Sequence, residues 1–195
     1  MKKRFLLVIL IAVQSIHGYS QSSKDSVTLS TIASEFFNWY IACAKTQNSS
    51  KFKEYNPVGV RDASGMTTLD FSTYFQNLKN HSFSDSLLAK EKRSYNNCLR
   101  NLAKVKYDDY LKFQDLDDFE GLHCDYTNYY RWTGGQEMYD GYVVTQVMSG
   151  KKSTLVFGNL YMNDEMNKGI GISKRTMIMT FRKQKGEWKI LDIQH

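Results

Sequence analysis

Proline is nearly missing from this 195-residue chain, with Pro57 alone, and no proline-rich tract, glycine-serine linker or internal repeat divides it. Those absences exclude a solenoid and a string of tethered modules, and one domain is the simplest reading. Cysteine is scarce too, confined to Cys43, Cys98 and Cys124. An odd number permits at most one intramolecular bridge, which excludes a disulfide scaffold. Cys43 and Cys98 fall on apolar stripes of predicted helices, so buried free thiols are the first expectation and a single bridge the second. Histidine offers little: His17 lies in the leader and His195 is the last residue, leaving His81 and His123 for an interior site. No G-x-S-x-G elbow occurs, and "GIGISK" from Gly169 lacks the third glycine of a dinucleotide fingerprint. "HCD" places His123 and Cys124 on opposite faces of a strand, and His123 with Asp125 would supply only two ligands. No catalytic residue, cofactor or metal is therefore assigned from sequence.

Long apolar runs are also lacking. The longest, Phe5 to Val13, follows Lys2, Lys3 and Arg4 and ends at Gln14 and Ser15. It is too short to span a bilayer comfortably and has the layout of a secretory signal peptide, with Gly18 and Ser20 as the small residues before a cut at Gln21. Residues 1–20 are expected to be the signal and 21–195 one domain, exported in soluble form to the periplasm or beyond. The formal charge of +6 includes the three basic residues of the leader, so the mature chain carries +3. Its basic residues are interspersed with acids, as in "AKEKRSYNNCLRNLAKVKYDD", which argues against nucleic acid as a partner. The "NSS" at Asn48 fits a glycosylation sequon.

What is present divides into a helical first half and a strand-rich second half. Leu29, Ile32, Phe36, Tyr40 and Cys43 recur at helical spacing, predicting a helix capped at Ser26 or Thr28 and ending near Asn48. "SSKFKEYNPVGVRDASGM" reads as loop with one helical turn at most. A short helix with Phe71, Tyr74, Phe75 and Leu78 inward follows, then a longer one from Ser84 to about Val105. Its buried side would be Leu88, Tyr95, Cys98, Leu99, Leu102 and Val105, with Arg100, Lys104 and Lys106 in the last turn. A helical piece is expected across "YDDYLKFQDL". After Gly121 the period changes, predicting strands near Tyr142–Met148, Ser153–Met162, Ser173–Lys183 and Glu187–Gln194, joined as hairpins by "SGKK" and "QKG". Helices before strands argue for an α+β domain, with N-terminal helices packed on a curved antiparallel sheet.

"FFNWYIACA", "SDSLLA", "YDDYLKFQD" and "KGEWKILDIQ" together resemble a family of uncharacterised bacterial exported proteins and lipoproteins in the nuclear-transport-factor-like, or cystatin-like, α+β cone superfamily. The resemblance covers nearly the whole mature chain in order. It implies a cone whose open end holds a pocket, and pairing of two copies through their sheets. In this superfamily the cavity binds a small molecule, houses a catalytic acid, or is filled while the outer sheet binds a protein. This chain lacks the cleavage-site cysteine of the lipoprotein members.

Two clusters are candidates for chemistry. "QDLDDFEG", Gln114 to Gly121, carries four carboxylates. As a calcium loop it fails, with Phe119 and Glu120 where a ligand and glycine are required. Asp115 and Asp118 would share a helical face, but a solvated helix end is the plainer reading, with Asp115 the member chosen for a role at the cone mouth. The second cluster is aromatic. Trp39, Tyr40, Trp132 and Tyr142, converging with Arg131 and Asp115, would line an apolar pocket with a few polar handles. Ordinary core packing is the alternative. Three functions follow: a non-enzymatic binding domain using the pocket or the exposed sheet face for a small ligand or protein, a small cavity isomerase or hydrolase with Asp115 or His123 as base, or an immunity-type toxin inhibitor.

Overall fold

A computed structural model of the chain describes residues 23–46, 49–114, 117–124, 130–164 and 170–195. The expected signal segment at residues 1–20, Asp115 and Asp125 lie outside the described residues.

The helical stripe beginning at Leu29 forms α1, Ser23–Lys45. It starts earlier than either expected cap, because Thr28 turns its hydroxyl back onto the Lys24 carbonyl (2.9 Å) and Thr31 does the same to Val27 (3.0 Å). Both threonines satisfy themselves inside the helix instead of opening it. The following segment corrects the loop expectation. It holds α2, Ser49–Tyr55, and a hairpin of β1, Val58–Arg61, with β2, Thr67–Asp70. Asp62 organises the hairpin turn, its Oδ1 accepting from the backbone N–H groups of Ser64 and Met66 at 2.8 and 2.9 Å, with Gly65 at φ +84°. Local side-chain bonding of this kind makes a turn that apolar periodicity does not register.

Helix α3, Ser72–Asn80, buries Tyr74 and Leu78 as expected. The predicted long helix from Ser84 is instead two helices. Ser84 does cap α4, Asp85–Ser94, accepting from the Leu87 N–H at 3.2 Å. At Tyr95 the backbone leaves helical geometry (φ −87°, ψ 3°) and α5, Asn96–Leu102, begins. The apolar spacing continues through the break because Leu88, Tyr95, Cys98 and Leu102 all remain buried, which hides it from the pattern. Arg100 stays in the last turn, while Lys104 and Lys106 fall beyond it. A short α6, Tyr107–Tyr110, follows. Among the described residues no helix is long and apolar enough to cross a membrane.

Strands β3 (Gly141–Ser149), β4 (Thr154–Asp164), β5 (Ile170–Gln184) and β6 (Glu187–Gln194) form an antiparallel meander in the order β3-β4-β5-β6. The β5–β6 turn places Lys185 and Gly186 at φ 52° and 87°, the paired positive angles of a tight hairpin. Irregularities at Val144/Gln146, Leu160/Tyr161 and Thr180/Phe181 interrupt every ladder, and each bulge bends its strand. Val156, Leu160, Met177, Met179, Phe181 and Ile190 form the buried face, packed with Phe36, Phe37 and Tyr40 of α1 in one core. The chain is thus an α+β fold with helices on one face of a four-stranded sheet.

Cys98 and Cys124 are joined in a disulfide, 26 residues apart in sequence. This corrects the expectation of a free thiol at Cys98 and realises the single-bridge alternative. Cys43 alone is free and buried, its thiol pushed up by burial and by Glu54 nearby.

Candidate functional site

Helix α1 carries Phe36, Phe37, Trp39 and Tyr40, and Phe36 is the hub of an aromatic cluster. Its ring lies 6.1 Å from both Trp39 and Tyr40, 4.9 Å from Phe83 and 6.2 Å from Trp132. Trp39 stacks on His81 at 4.5 Å. Burial holds the His81 imidazole below the usual histidine range, with Glu35 opposing.

A polar chain runs through this aromatic cluster. Glu91 projects from α4 with a side chain wholly removed from solvent. Arg131 donates to it from Nε at 3.1 and 2.9 Å to its two oxygens and from Nη2 at 2.8 Å. The Tyr74 hydroxyl donates to Oε1 at 3.0 Å, and the Trp132 indole N–H donates to Tyr74 at 2.9 Å. The Trp132 backbone N–H reaches the Tyr40 hydroxyl at 3.4 Å. Burial works against the Arg131 charge, but Glu91 more than offsets it and holds the guanidinium above its usual range. Burial first, then the Glu91 charge, pushes the Tyr74 and Tyr95 hydroxyls well up. Tyr40 is raised by burial, against the lowering effect of its bond from Trp132. Arg131 also lies over the Trp132 ring, 5.0 Å from its centroid.

Trp39, Tyr40, Arg131 and Trp132 are therefore brought together. Tyr142 stands apart, its ring 4.3 Å from Phe37 and laid over Gly158, and its buried hydroxyl has no hydrogen-bond partner among the described residues. Asp115 lies outside the described residues. Its neighbour Asp118 closes a 3-10 turn, Asp117–Phe119, accepting from the Gln114 N–H at 2.6 Å. Trp188, expected in the core, packs against it while donating its indole N–H to Asp25 at 3.2 Å.

The arrangement orders side chains more readily than it admits a ligand. The cavity beside Tyr40, Thr133 and Tyr139 measures about 10 Å³, the room of about one water. Glu91 accepts from its partners on both oxygens, which leaves it poorly placed to take a proton from a substrate. Sequence reasoning missed Glu91 and Tyr74 as members of this network. The signal was available: Glu91 lies three and four residues from Leu88, Leu87 and Tyr95, inside the apolar stripe, and a carboxylate there must be paired.

The second feature is the sheet surface turned away from the helices. The register sets Met148 beside Leu155, and Phe157 beside Ile178. These residues and Val143 alternate with the buried ones and do not pack on the core. Val143 and Met148 are 50 % and 47 % exposed. The polar residues directly across the ladder from them, Gln146, Asn159, Thr180 and Gln194, are uncharged. The β6 edge is covered in part by Ser82–Ser84, through Ser84 N–H to Ile190 O (3.0 Å) and Ile190 N–H to Ser82 O (2.8 Å). Among the described residues no other strand pairs with the outer edge of β3, a nine-residue strand without a charge or a proline. Comparisons of the chain with protein-family models, with curated proteins and with solved structures return no match.

Proposed function

We propose that the chain is an exported, non-catalytic binding domain of the nuclear-transport-factor-like cone type, which docks a protein partner on the outer face of its sheet and along the β3 edge. One observation carries this reading: the uncharged stripe of Val143, Met148, Leu155, Phe157 and Ile178 ends at β3, the edge strand of the sheet, beyond which no described strand pairs. Exposed strand edges are ordinarily blunted by lysine, proline or a covering segment, as Ser82–Ser84 does at β6. An edge left uncharged next to an apolar face suits strand addition by another polypeptide. The filled interior supports the sheet over the pocket as the working surface, with the Glu91 network holding the helical layer rigid behind it. The Cys98–Cys124 bridge supports an oxidising compartment, in keeping with the leader pattern.

The test is a photocrosslinking amino acid placed at Phe157, with Lys53 on α2 as the exposed control, in cells exporting the protein. A discrete crosslinked polypeptide from position 157, missing from position 53, supports the reading whether its mass is that of a second copy or of another protein. No product from 157, or equal products from both positions, refutes it.

A further inference from the structure

Helix α5 sets Asn97, Arg100 and Asn101 at spacings of three and four, with Lys104 just past its end, so that these side chains face one way. The disulfide draws the segment around Cys124 against that helix. Asn101 fastens it further, its side-chain amide donating to the carbonyls of Gly121 (3.4 Å) and Leu122 (3.1 Å). His123 is thereby held at φ +53° beside Arg100 and Lys104. Together these residues line an open cleft of about 590 Å³. It adjoins a second cleft of about 510 Å³ that shares Asn97 and Arg100 and adds Arg93 and Asn96.

Carboxylates neutralise several basic side chains elsewhere on the molecule. Lys45, Arg61, Lys79, Lys90, Lys112, Lys183 and Lys189 each pair with a carboxylate. Arg93, Lys104 and His123 have no side-chain partner among the described residues, and Arg100 donates only to the Asn97 amide oxygen. Among the described residues no carboxylate lines either cleft. Arg100 spends one of five guanidinium N–H donors on Asn97, and that bond also aims it. Two arginine forks match the oxygens of a tetrahedral oxyanion, while asparagine amides suit hydroxyl groups on its carrier.

We propose that the α5 clefts bind a phosphorylated carbohydrate, with Arg100 and Arg93 on the phosphate, Lys104 completing its charge balance, His123 as a further N–H donor, and Asn96 and Asn97 on the sugar hydroxyls. This site is independent of the sheet-face reading. The same chemistry is offered by a free sugar phosphate and by a phosphorylated glycolipid headgroup, so the experiment has two arms. In the first, ¹⁵N-labelled protein with its disulfide intact is titrated with glucose 6-phosphate and, separately, with glucose. In the second, it is sedimented with phosphatidylcholine vesicles with and without lipid A. Saturable shifts at the Asn97, Asn101 and His123 amides with glucose 6-phosphate but not glucose support a soluble ligand; binding confined to lipid A vesicles supports a headgroup. Arg100→Gln weakens either by roughly tenfold or more, since each charge-assisted bond is the stronger kind, while Lys151→Gln on the β3–β4 turn changes it less than about twofold. No saturable response in either arm, or equal losses in the two variants, overturns the assignment.

Discussion

Replacing Glu91 by alanine tests the organisation of the interior. Its side chain is fully buried and accepts from Arg131 and Tyr74 together. Removing one partner of a buried ion pair costs about 3–5 kcal/mol. Arg131 retains 27 % side-chain exposure and can partly rehydrate, which favours the lower end; Tyr74 is wholly buried and loses its acceptor, which pushes the value back up. A loss of about 4 kcal/mol is expected, or a melting point lower by about 8–16 °C for a chain of this size. Glu91→Gln keeps the volume and an acceptor for Tyr74 and should cost about half as much, so the test survives if the alanine variant fails to fold. The double variant Glu91→Leu/Arg131→Met removes both charges and should be far less destabilised than the sum of its single variants. The assay is urea unfolding followed by tryptophan fluorescence, since Trp132 belongs to the network. A Glu91→Ala loss below about 1 kcal/mol, or strict additivity in the double variant, would refute the reasoning.

Other consequences are separable. Opening the Cys98–Cys124 bridge by Cys→Ser at both positions releases a 26-residue separation, and chain entropy puts the loss at about 3.5 kcal/mol; an unchanged urea midpoint would contradict it. Tyr142→Phe deletes a buried hydroxyl without a partner among the described residues and should be neutral or stabilising by up to about 1 kcal/mol, whereas Gly158→Ala sets a Cβ 2.3 Å from the Tyr142 ring and should cost about 1–3 kcal/mol; calorimetric melting of both variants decides. For His81, burial lowers the folded pKa below the unfolded value of about 6.5, so the folded chain binds fewer protons. The associated stability is present above that pH and is lost as pH falls through the folded value. Urea midpoints from about pH 7.5 to about pH 5 should fall in wild type and flatten in His81→Phe; an identical slope in the variant removes His81 as the cause.

The four strands of the meander were legible because alternation and the "QKG" turn are both local, and Glu187–Gln194 falls where it was expected. Helix starts were less legible: Ser84 caps α4, but Thr28 bonds within α1, and hydroxyl position alone does not distinguish the two uses. The break at Tyr95 was hidden because both helices bury the same side. At the site, pattern found Arg131, Trp132 and Tyr40 by composition and missed Glu91, the acceptor that joins Arg131 and Tyr74. Its partners come from a residue 17 positions before it and another 40 positions after it, and such pairing is a property of the fold. The outer stripe was foreshadowed by alternation, yet which strand edge stays open depends on the crossing of Ser82–Ser84 over β6.

The most direct test of the sheet-face proposal is native mass spectrometry of the wild-type protein and of Phe157→Lys, each recovered from the compartment in which it works. The account predicts a complex with a polypeptide, released on denaturation and lost in the variant while its melting temperature holds. A small molecule retained equally by both proteins, or a chain found free in both, would contradict it.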